Sequence, residues 1–348
     1  MDVLESYESV VVSTRMRLAR NFADYPFPNI LLDDAHAEEQ AGEIISILTA
    51  ELNRFNEFRL YEMKSVSEET AALLQERNLI SRYLIANSRI SAALVSETED
   101  VSVMINEEDH LRIQYFIKGL DLPSAFERVS GIDDVISETI PFAFDKELGY
   151  LTACPTNLGT GLRASVMLFL PALSRRGIMK KTAPQLSRGG LTVRGASGEG
   201  SGTEGDFFQV SNQMTMGFDE EDILDHVERA VETLTELEIT ERMRMKAEEG
   251  ISLVDEISRS YGTLLYCKKI TAAELASRMA DIKLGIALGY IEGERDGEKL
   301  IGELDDFMVK MRPANLKRLS GIKLEGEERD AYRARAAAET VKEMKLYL

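Results

Sequence analysis

Cys154 to Ser165, which reads CPTNLGTGLRAS, sets a cysteine beside a turn of Gly and Thr and an arginine, Arg163. A turn of that composition brings backbone N–H groups close to an anion, with the thiol and the guanidinium a few residues away. Standing alone, the string would be a Pro/Asn/Gly turn around a buried cysteine. Upstream, VVVSTRMRLARN places Arg15 and Arg17 two residues apart after a Val-rich run. On an extended backbone both guanidinium groups then project from one face, as a fork for phosphate. Arg20 falls out of phase with that alternation and is expected to be a structural ion-pair partner. Downstream, LTVRGASGEGSGTEGDFF carries Arg194 on a strand-like run, then a Gly/Ser-dense loop holding Glu199. Such a loop is expected to be mobile until something orders it. Between these, VSVMINEEDHLRIQYF alternates Val101, Val103 and Ile105 as a strand ending in Asn106, Glu107, Glu108, Asp109 and His110 before Arg112. Strand ends commonly carry catalytic carboxylates.

Many arginines, two separated acidic elements and a thiol, with no Walker lysine motif, suit phosphoryl transfer from a nucleotide. That chemistry depends on positioning and on neutralising charge around the phosphates, which Arg does with planar, permanently charged forks. Carboxylates and a thiolate would repel a nucleotide and better hold a cationic acceptor such as a guanidinium. With a pKa above about 12 a guanidinium is a poor nucleophile, so an acidic partner must align it and accept its proton. Local spacing does not separate Glu107, Glu108 and Asp109 for that task. His110 is expected to support by hydrogen bonding rather than to catalyse. His36 and His226 read as surface residues, and Cys267 as a partly buried structural thiol.

STRMRLARN, NEEDHLRIQ, CPTNLGTGLRASVM, VRGASGEGS and FQVSNQMTMGF together resemble the catalytic domain of the phosphagen (guanidino) kinases, in five ordered motifs over roughly the first two thirds of the chain. Small-substrate members carry a helical N-terminal domain whose specificity loop closes over a free amino acid. Here STRMR begins at Ser13, so the acceptor side is expected to be open to an arginine on another protein. The C-terminal stretch, with the RDxxRA string of Arg329, Asp330, Arg333 and Ala334, resembles the bacterial protein-arginine kinase branch. Taken without that resemblance, RDAYRARAAAE would be a charged helix face with Arg329 and Arg333 at i,i+4.

The resemblance implies that Arg15, Arg17, Arg112, Arg163 and Arg194 hold the ATP phosphates. It adds Ser13, Thr14 and Met16 of the first motif, Ala164, Ser165, Val166 and Met167 of RASVM, and Gly195, Ala196, Ser197 and Gly198 of the loop as nucleotide-lining residues. Glu108 is implied as the carboxylate that orients and deprotonates the guanidinium, Glu199 as its partner on the loop, and Cys154 as the thiolate touching the guanidinium. Magnesium is expected to ride on the nucleotide phosphates and water, with no protein ligand set of its own. Met167 stands where small-substrate members have a histidine, which implies weaker adenine stacking. Tyr83 stands where related sequences have another histidine and keeps an aromatic surface. Arg329, Asp330, Arg333 and Ala334 are implied as an allosteric phosphoarginine site.

The fold class expected is α+β, with a large, mainly antiparallel sheet flanked by helices and then a mostly helical C-terminal domain. The domains expected are 1–242, catalytic, and 243–348, for dimerisation and phosphoarginine binding. Strands are expected at ISAALVS, VSVMIN, ELGYLTACP, LTVRG and FFQVSNQ. Helices are expected at DDAHAEEQAGEIISILTAELNRF, SEETAALLQERNLI, about 118–136 and LRASVMLFLPALSRRG, and in a long helix capped by Asp219. Beyond it the chain reads as almost entirely helical, with Gly turns at Gly262, Gly293 and Gly321.

The 348 residues are 44% apolar, enough for two domains and a large core. Two cysteines argue against a disulfide framework and suit a reducing compartment. With no spanning apolar run and no leader at MDVLESYESV, a cytoplasmic protein with no membrane partner is expected. A net charge of −19, from 60 acidic and 41 basic residues, disfavours nucleic acid and favours arginine-rich protein surfaces. The expected activity is ATP-dependent phosphorylation of protein arginines on a guanidino nitrogen. The resemblance adds a zinc-containing activator protein, a Clp unfoldase-protease and a homodimer as partners. The alternatives are a kinase of a free small guanidine, and a phosphoarginine-binding adaptor, against which the intact site residues argue.

Overall fold

In Val11–Arg20 (β1), buried Met16 and Leu18 alternate with half-buried Arg15 and Arg17, so one face enters the core and the other carries the cations. The computed structural model describes residues 3, 6–31, 36–54, 57–195, 204–322 and 324–347. After β1 come α1 (Pro28–Leu31), α2 (Ala37–Leu52), β2 (Phe58–Glu62), α3 (Glu68–Glu76), α4 (Arg82–Ala86), β3 (Ala92–Ser96), β4 (Val101–Ile105), β5 (Leu111–Lys118) and α5 (Leu122–Ser137). The hairpin of β6 (Phe144–Asp145) and β7 (Gly149–Tyr150) leads to β8 (Leu162–Phe169), α6 (Pro171–Arg175), α7 (Met179–Arg188), β9 (Leu191–Gly195) and β10 (Phe207–Asn212). The rest is α8 (Glu220–Tyr266), α9 (Ala272–Ala287), β11 (Ile291–Glu292), α10 (Gly297–Lys310), α11 (Pro313–Ser320), α12 (Glu327–Val341) and β12 (Lys345–Leu346).

Among the described residues, eight strands form one sheet in the order β2-β3-β4-β5-β1-β8-β10-β9, antiparallel at every pairing from β2 to β1. The expected α+β class is the observed one. The chain divides into two compact units, one of Met1–Val12, Val166–Val210 and Arg229–Leu348, the other of Ser13–Ser165 and Ser211–Glu228. Among the described residues, no helix is long and apolar enough to cross a membrane.

Helix starts follow capping chemistry. Ser67, Asp121 and Thr271 accept from Thr70 N, Ser124 N and Glu274 N at the heads of α3, α5 and α9, and Asp219 accepts from Asp222 N at the head of α8, as expected. Other expectations need correction. LRASVMLFLPALSRRG is not one helix: its first half is β8, lying between β1 and β10 with Ala164, Val166 and Leu168 fully buried, and helix begins only where Pro171 fixes the first turn of α6. ELGYLTACP is not one strand either, since pairing ends at Tyr150 and Cys154 lies in the loop beyond. Gly262 lies inside α8, whereas Gly293 and Gly321 do lie outside helix, Gly321 as the left-handed cap of α11. The break in α8 falls at Gly250, with φ 46 and ψ −117, a backbone only glycine adopts without strain. The C-terminal region also contains the β11–β12 pair, which helical periodicity did not suggest.

In the unit that holds α8's C-terminal part, Arg242 is fully buried. It donates to Glu238 Oε1 (2.7 Å), Ser9 Oγ (2.8 Å), Ser9 O (3.3 Å) and Phe169 O (3.2 Å). The same Glu238 carboxylate accepts from Ala172 N (3.0 Å) and Leu173 N (2.9 Å) at the start of α6. Glu238→Ala leaves a buried guanidinium without its counter-charge, so chemical denaturation should show a loss of about 3–5 kcal/mol, and Glu238→Gln with Arg242→Met a smaller one. A single-variant loss below about 1 kcal/mol would show that the pair does not anchor this unit.

Candidate active site

The register of β1 on β5 builds the first half of the site. Arg17 lies opposite Gln114, Arg15 opposite Phe116, and Ala19 opposite Arg112, so all six share one face of the sheet. Ala19 is small enough to leave room for the Arg112 side chain. Gln114 Oε1 accepts from Arg15 Nη2 (2.6 Å) and its amide donates to Asn78 O (2.8 Å), which fixes the amide's orientation and aims Arg15. On β8, next to β1, Arg163 donates to Ser211 Oγ (3.3 Å), and Ser165 Oγ donates to the carbonyl of Arg15 (3.1 Å).

The result is like charge crowded together. Burial, then Arg112 and Arg163, pull Arg15 down to about 10, against which Glu107 acts. Arg17 is held well below its ordinary value by burial and then by Arg15, Arg112 and Arg163. Glu107, itself buried, takes Arg112 Nη1 on both oxygens (2.7 and 2.6 Å). The Nε atoms of Arg15 and Arg17 have no hydrogen-bond partner among the described residues. A cavity of about 730 Å³ opens here, lined by Arg15, Arg17, Arg112, Glu107 and Tyr83, the last 70% exposed at its edge. Arg15, Arg17 and Arg112 around one carboxylate, with Arg163 near enough to act on Arg15 and Arg17, fit a polyanion such as a nucleotide polyphosphate.

The turn between β4 and β5 builds the second half and separates three acids that are adjacent in sequence. Asn106 takes a left-handed φ of 55, and Asn106 N and Glu107 N donate to His110 O and Asp109 O. Glu107 thereby faces the arginines. Asp109 is buried and accepts from Asn21 Nδ2 (2.6 Å) and Ala153 N (2.6 Å), which ties the turn to the residue before Cys154. Glu108, half-exposed, has the Cys154 thiol beside it and lies 4.0 Å from Arg112. Burial first and Asp109 second raise its pKa, with Arg112 opposing. Cys154 Sγ also lies 3.0 Å from Thr156 Oγ1.

The Cys154 loop is held from the other side by Thr215, whose hydroxyl donates to Thr156 O (2.9 Å) and Leu158 O (2.7 Å). Gly159 is required here: its φ is +105, and a Cβ would come within 2.5 Å of Thr215 O. A Cβ on Gly149, φ +74, would meet Gly159 O at 2.6 Å.

His110 is scaffold, as expected. Its Nδ1 accepts from Phe22 N (3.2 Å), so the proton resides on Nε2, which donates to Pro26 O (3.1 Å). Its ring stacks on Phe22 at 5.3 Å. Arg20 is the structural ion pair expected, bonded through Nε and Nη2 to Asp133 (3.0 and 2.8 Å) and stacked 3.5 Å over Tyr150.

The remaining predicted residues divide. Thr14 and Met16 point away from the arginine face: Thr14 Oγ1 donates to Gly119 O (2.8 Å) and Met16 is core, because even positions of β1 face inward. Ser13 shares the arginine side. On β8, Ala164 and Val166 are buried and Met167 is half-buried, on the same side as Arg163. Arg194 is exposed on β9 with Gly195 beside it. Ala196, Ser197, Gly198 and Glu199 lie outside the described residues. On α12, Arg333 is buried, donating to Asp330 Oδ1 (2.7 Å) and Met311 O (3.0 Å), and Ala334 is fully buried, so this half of the string is not a solvated face. Arg329 is half-buried, and its Nε has no hydrogen-bond partner among the described residues. Sequence reasoning missed Gln114, Asn21 and Thr215. Gln114 was within reach, since it alternates with Arg112 on β5.

Because the folded pKa of His110, about 4, lies below the ordinary 6.5, the unfolded chain takes up the proton first. His110 therefore contributes fully above about pH 6.5, and about 3 kcal/mol is lost as pH falls towards 4. Denaturant titrations of the wild type and His110→Asn across that window should diverge, with the variant showing the flatter profile. Parallel profiles would overturn the buried neutral tautomer.

The family profile described as ATP:guanido phosphotransferase, C-terminal catalytic domain, matches residues 41–241, and that of the protein-arginine kinase McsB C-terminal domain matches residues 250–346. The chain is similar to the protein-arginine kinase of Caldanaerobacter subterraneus subsp. tengcongensis, 38% identical over 337 residues, covering 95% of this chain and 97% of that one. It is similar to the protein-arginine kinase of Geobacillus stearothermophilus at 41% over 333 residues, 93% of this chain and 88% of that one. Among solved structures, lombricine kinase matches with a TM-score of 0.58 at 25% identity over 66% of each chain. The duplicated taurocyamine kinase of Schistosoma mansoni matches with a TM-score of 0.60 at 25% identity over 76% of this chain and 40% of that one.

Proposed function

This chain belongs to the ATP:guanido phosphotransferase family and, within it, to the protein-arginine kinases, and from that premise we propose how its residues divide the reaction. It is an ATP-dependent kinase that phosphorylates arginine side chains of proteins. The observation that carries the division is a turn in which Glu107 faces the arginines while its neighbour Glu108 faces a thiol. The cationic side takes the donor, and the anionic side takes the acceptor.

Arg15, Arg17, Arg112 and Arg163 hold the ATP phosphates, the family resemblance adds Arg194, and Tyr83 offers a ring at the cavity edge to the base. Glu108 and Cys154 align the substrate guanidinium, with Glu199 as the second carboxylate. As the guanidino nitrogen attacks the γ-phosphorus, Glu108 takes one N–H proton. The N–P bond forms, the bond to the β,γ-bridging oxygen breaks, and ADP leaves with that electron pair, its charge met by the arginines. The raised pKa of Glu108 makes it a stronger base than an ordinary carboxylate. Magnesium, carried in on the nucleotide, would neutralise phosphate charge beside Arg15, Arg17 and Arg112.

The finer reading follows the family resemblance. Residues 1–242 catalyse, and 243–348 dimerise and bind phosphoarginine at Arg329, Asp330, Arg333 and Ala334. The partners are a zinc-containing activator and a Clp unfoldase-protease, in the cytoplasm. Arg333→Ala should remove the response of activity to added phosphoarginine, and an unchanged response would return the motif to a structural role.

Glu108→Gln should lower turnover by at least ~100-fold while ATP affinity holds, and should erase the acidic limb of the rate profile, since only ionised Glu108 accepts a proton. A large loss of ATP binding instead would assign Glu108 to the donor. Cys154→Ser should weaken the acceptor step more than ATP binding. The primary assay is mass spectrometry, without acid, of an arginine-rich protein incubated with the chain and magnesium ATP, with free arginine in parallel. Phosphoarginine on the protein with little product from the free amino acid is expected, and the reverse would make it a small-guanidine kinase.

A further inference from the structure

Beside the Cys154 loop the surface is apolar in a way that phosphoryl transfer does not require. Met214, Met216 and Phe218 are 52%, 50% and 45% exposed within five residues, and none belongs to the donor or acceptor groups. Thr215, between the methionines, is buried and directed into the loop by its two hydrogen bonds. Met214 and Met216, on either side of Thr215, are the side chains left turned to solvent. Thr156, one of the residues Thr215 holds, is the residue whose hydroxyl touches the Cys154 thiol.

The β6–β7 hairpin borders the same loop. Tyr150 N donates to Gly159 O (2.8 Å), Gly159 abuts Met216 Cα, and the hairpin presents exposed Phe144 and Leu148. Acidic residues outnumber basic ones around it: Asp145 and Glu147 flank Lys146 on the hairpin, and Asp219 and Glu221 follow Phe218, all exposed. Exposed large apolar side chains grouped within an acidic rim and continuous with a reactive site mark a binding surface for a basic, partly apolar partner.

We propose that this strip binds the substrate segment around the target arginine through a large apolar side chain two or three residues from it, so that the kinase selects arginines by apolar neighbours. The inference rests on the kinase reading above and names the substrate class of the same site. The occupant is an extended peptide whose guanidinium enters beside Glu108 and Cys154 while a nearby Leu, Met or Phe lies on Met214, Met216 and Phe218. An extended chain advances about 3.3 Å per residue, so two or three residues span roughly 7–10 Å. Methionine side chains adapt in shape, so the surface selects apolar character rather than one residue type.

The test compares single-arginine peptides of equal charge that carry Leu or Phe, or Ser, two and three positions from the arginine. The wild type should favour the apolar peptides by about tenfold or more in kcat/KM. The full-length variant Met214→Ser/Met216→Ser/Phe218→Ser should narrow that ratio to within about twofold and keep the wild-type rate on the Ser peptide, whereas Met216→Leu should retain the preference. Equal wild-type rates on both peptides, or a preference that survives the triple variant, would overturn the surface. Fluorescence anisotropy of labelled peptides on the Glu108→Gln protein measures the same preference without turnover. Preferential binding of apolar peptides there, alongside a wild type that phosphorylates no peptide, would support the surface and overturn the kinase reading. Melting temperatures matching the wild type distinguish a lost contact from a lost fold.

Discussion

Four guanidinium groups held on one sheet face against a single buried carboxylate are the constraint around which the rest of this structure is arranged. Two like charges about 5 Å apart repel by about 3 kcal/mol at the effective dielectric of a protein, and here Arg15, Arg17, Arg112 and Arg163 act on one another with the same sign. Only a stiff support can hold them. The sheet supplies it: β1 is central, β5 and β8 lie on either side, and the strand faces opposite the arginines are filled by Met16, Leu18, Ala164 and Val166. The folding free energy of that core offsets the repulsion and leaves the guanidinium groups pre-oriented for a ligand that carries the missing charge.

Glu107 shows how the protein manages the interval before such a ligand arrives. Its two contacts to Arg112 give the cluster one internal counter-ion, so the site is tolerably charged when empty and still strongly cationic. The next residue in the chain belongs to a different electrostatic world. Glu108 sits among Asp109 and a thiol, and its carboxyl is pushed upwards while Arg15 and Arg17 on the other side are pushed downwards. A tight turn separates a cationic surface from an anionic one within a single peptide unit.

Much of this was legible in the sequence because it depends on period and spacing. The pairing of Arg15 with Arg17, the out-of-phase Arg20, the strand ending at Asn106 and the cap at Asp219 each follow from local rules. The distinct tasks of Glu107, Glu108 and Asp109 did not, because each is set by a partner remote in sequence: Arg112 across the turn, the Cys154 thiol, and the Asn21 and Ala153 pair. LRASVMLF was misread because a strand covered on both faces loses the alternation that identifies strands. Thr14 and Met16 belong to the recognised motif yet support the site from the core rather than line it.

The loop that carries Cys154 is fixed by main-chain contacts at Gly149 and Gly159, where no side chain fits. A side chain at either glycine would displace the backbone, whereas the exposed Met214 and Met216 beside it can be exchanged without disturbing the chain beneath them. The chemistry and the choice of target thus become separable inheritances: one locked in glycine contacts, the other free to drift on the surface above.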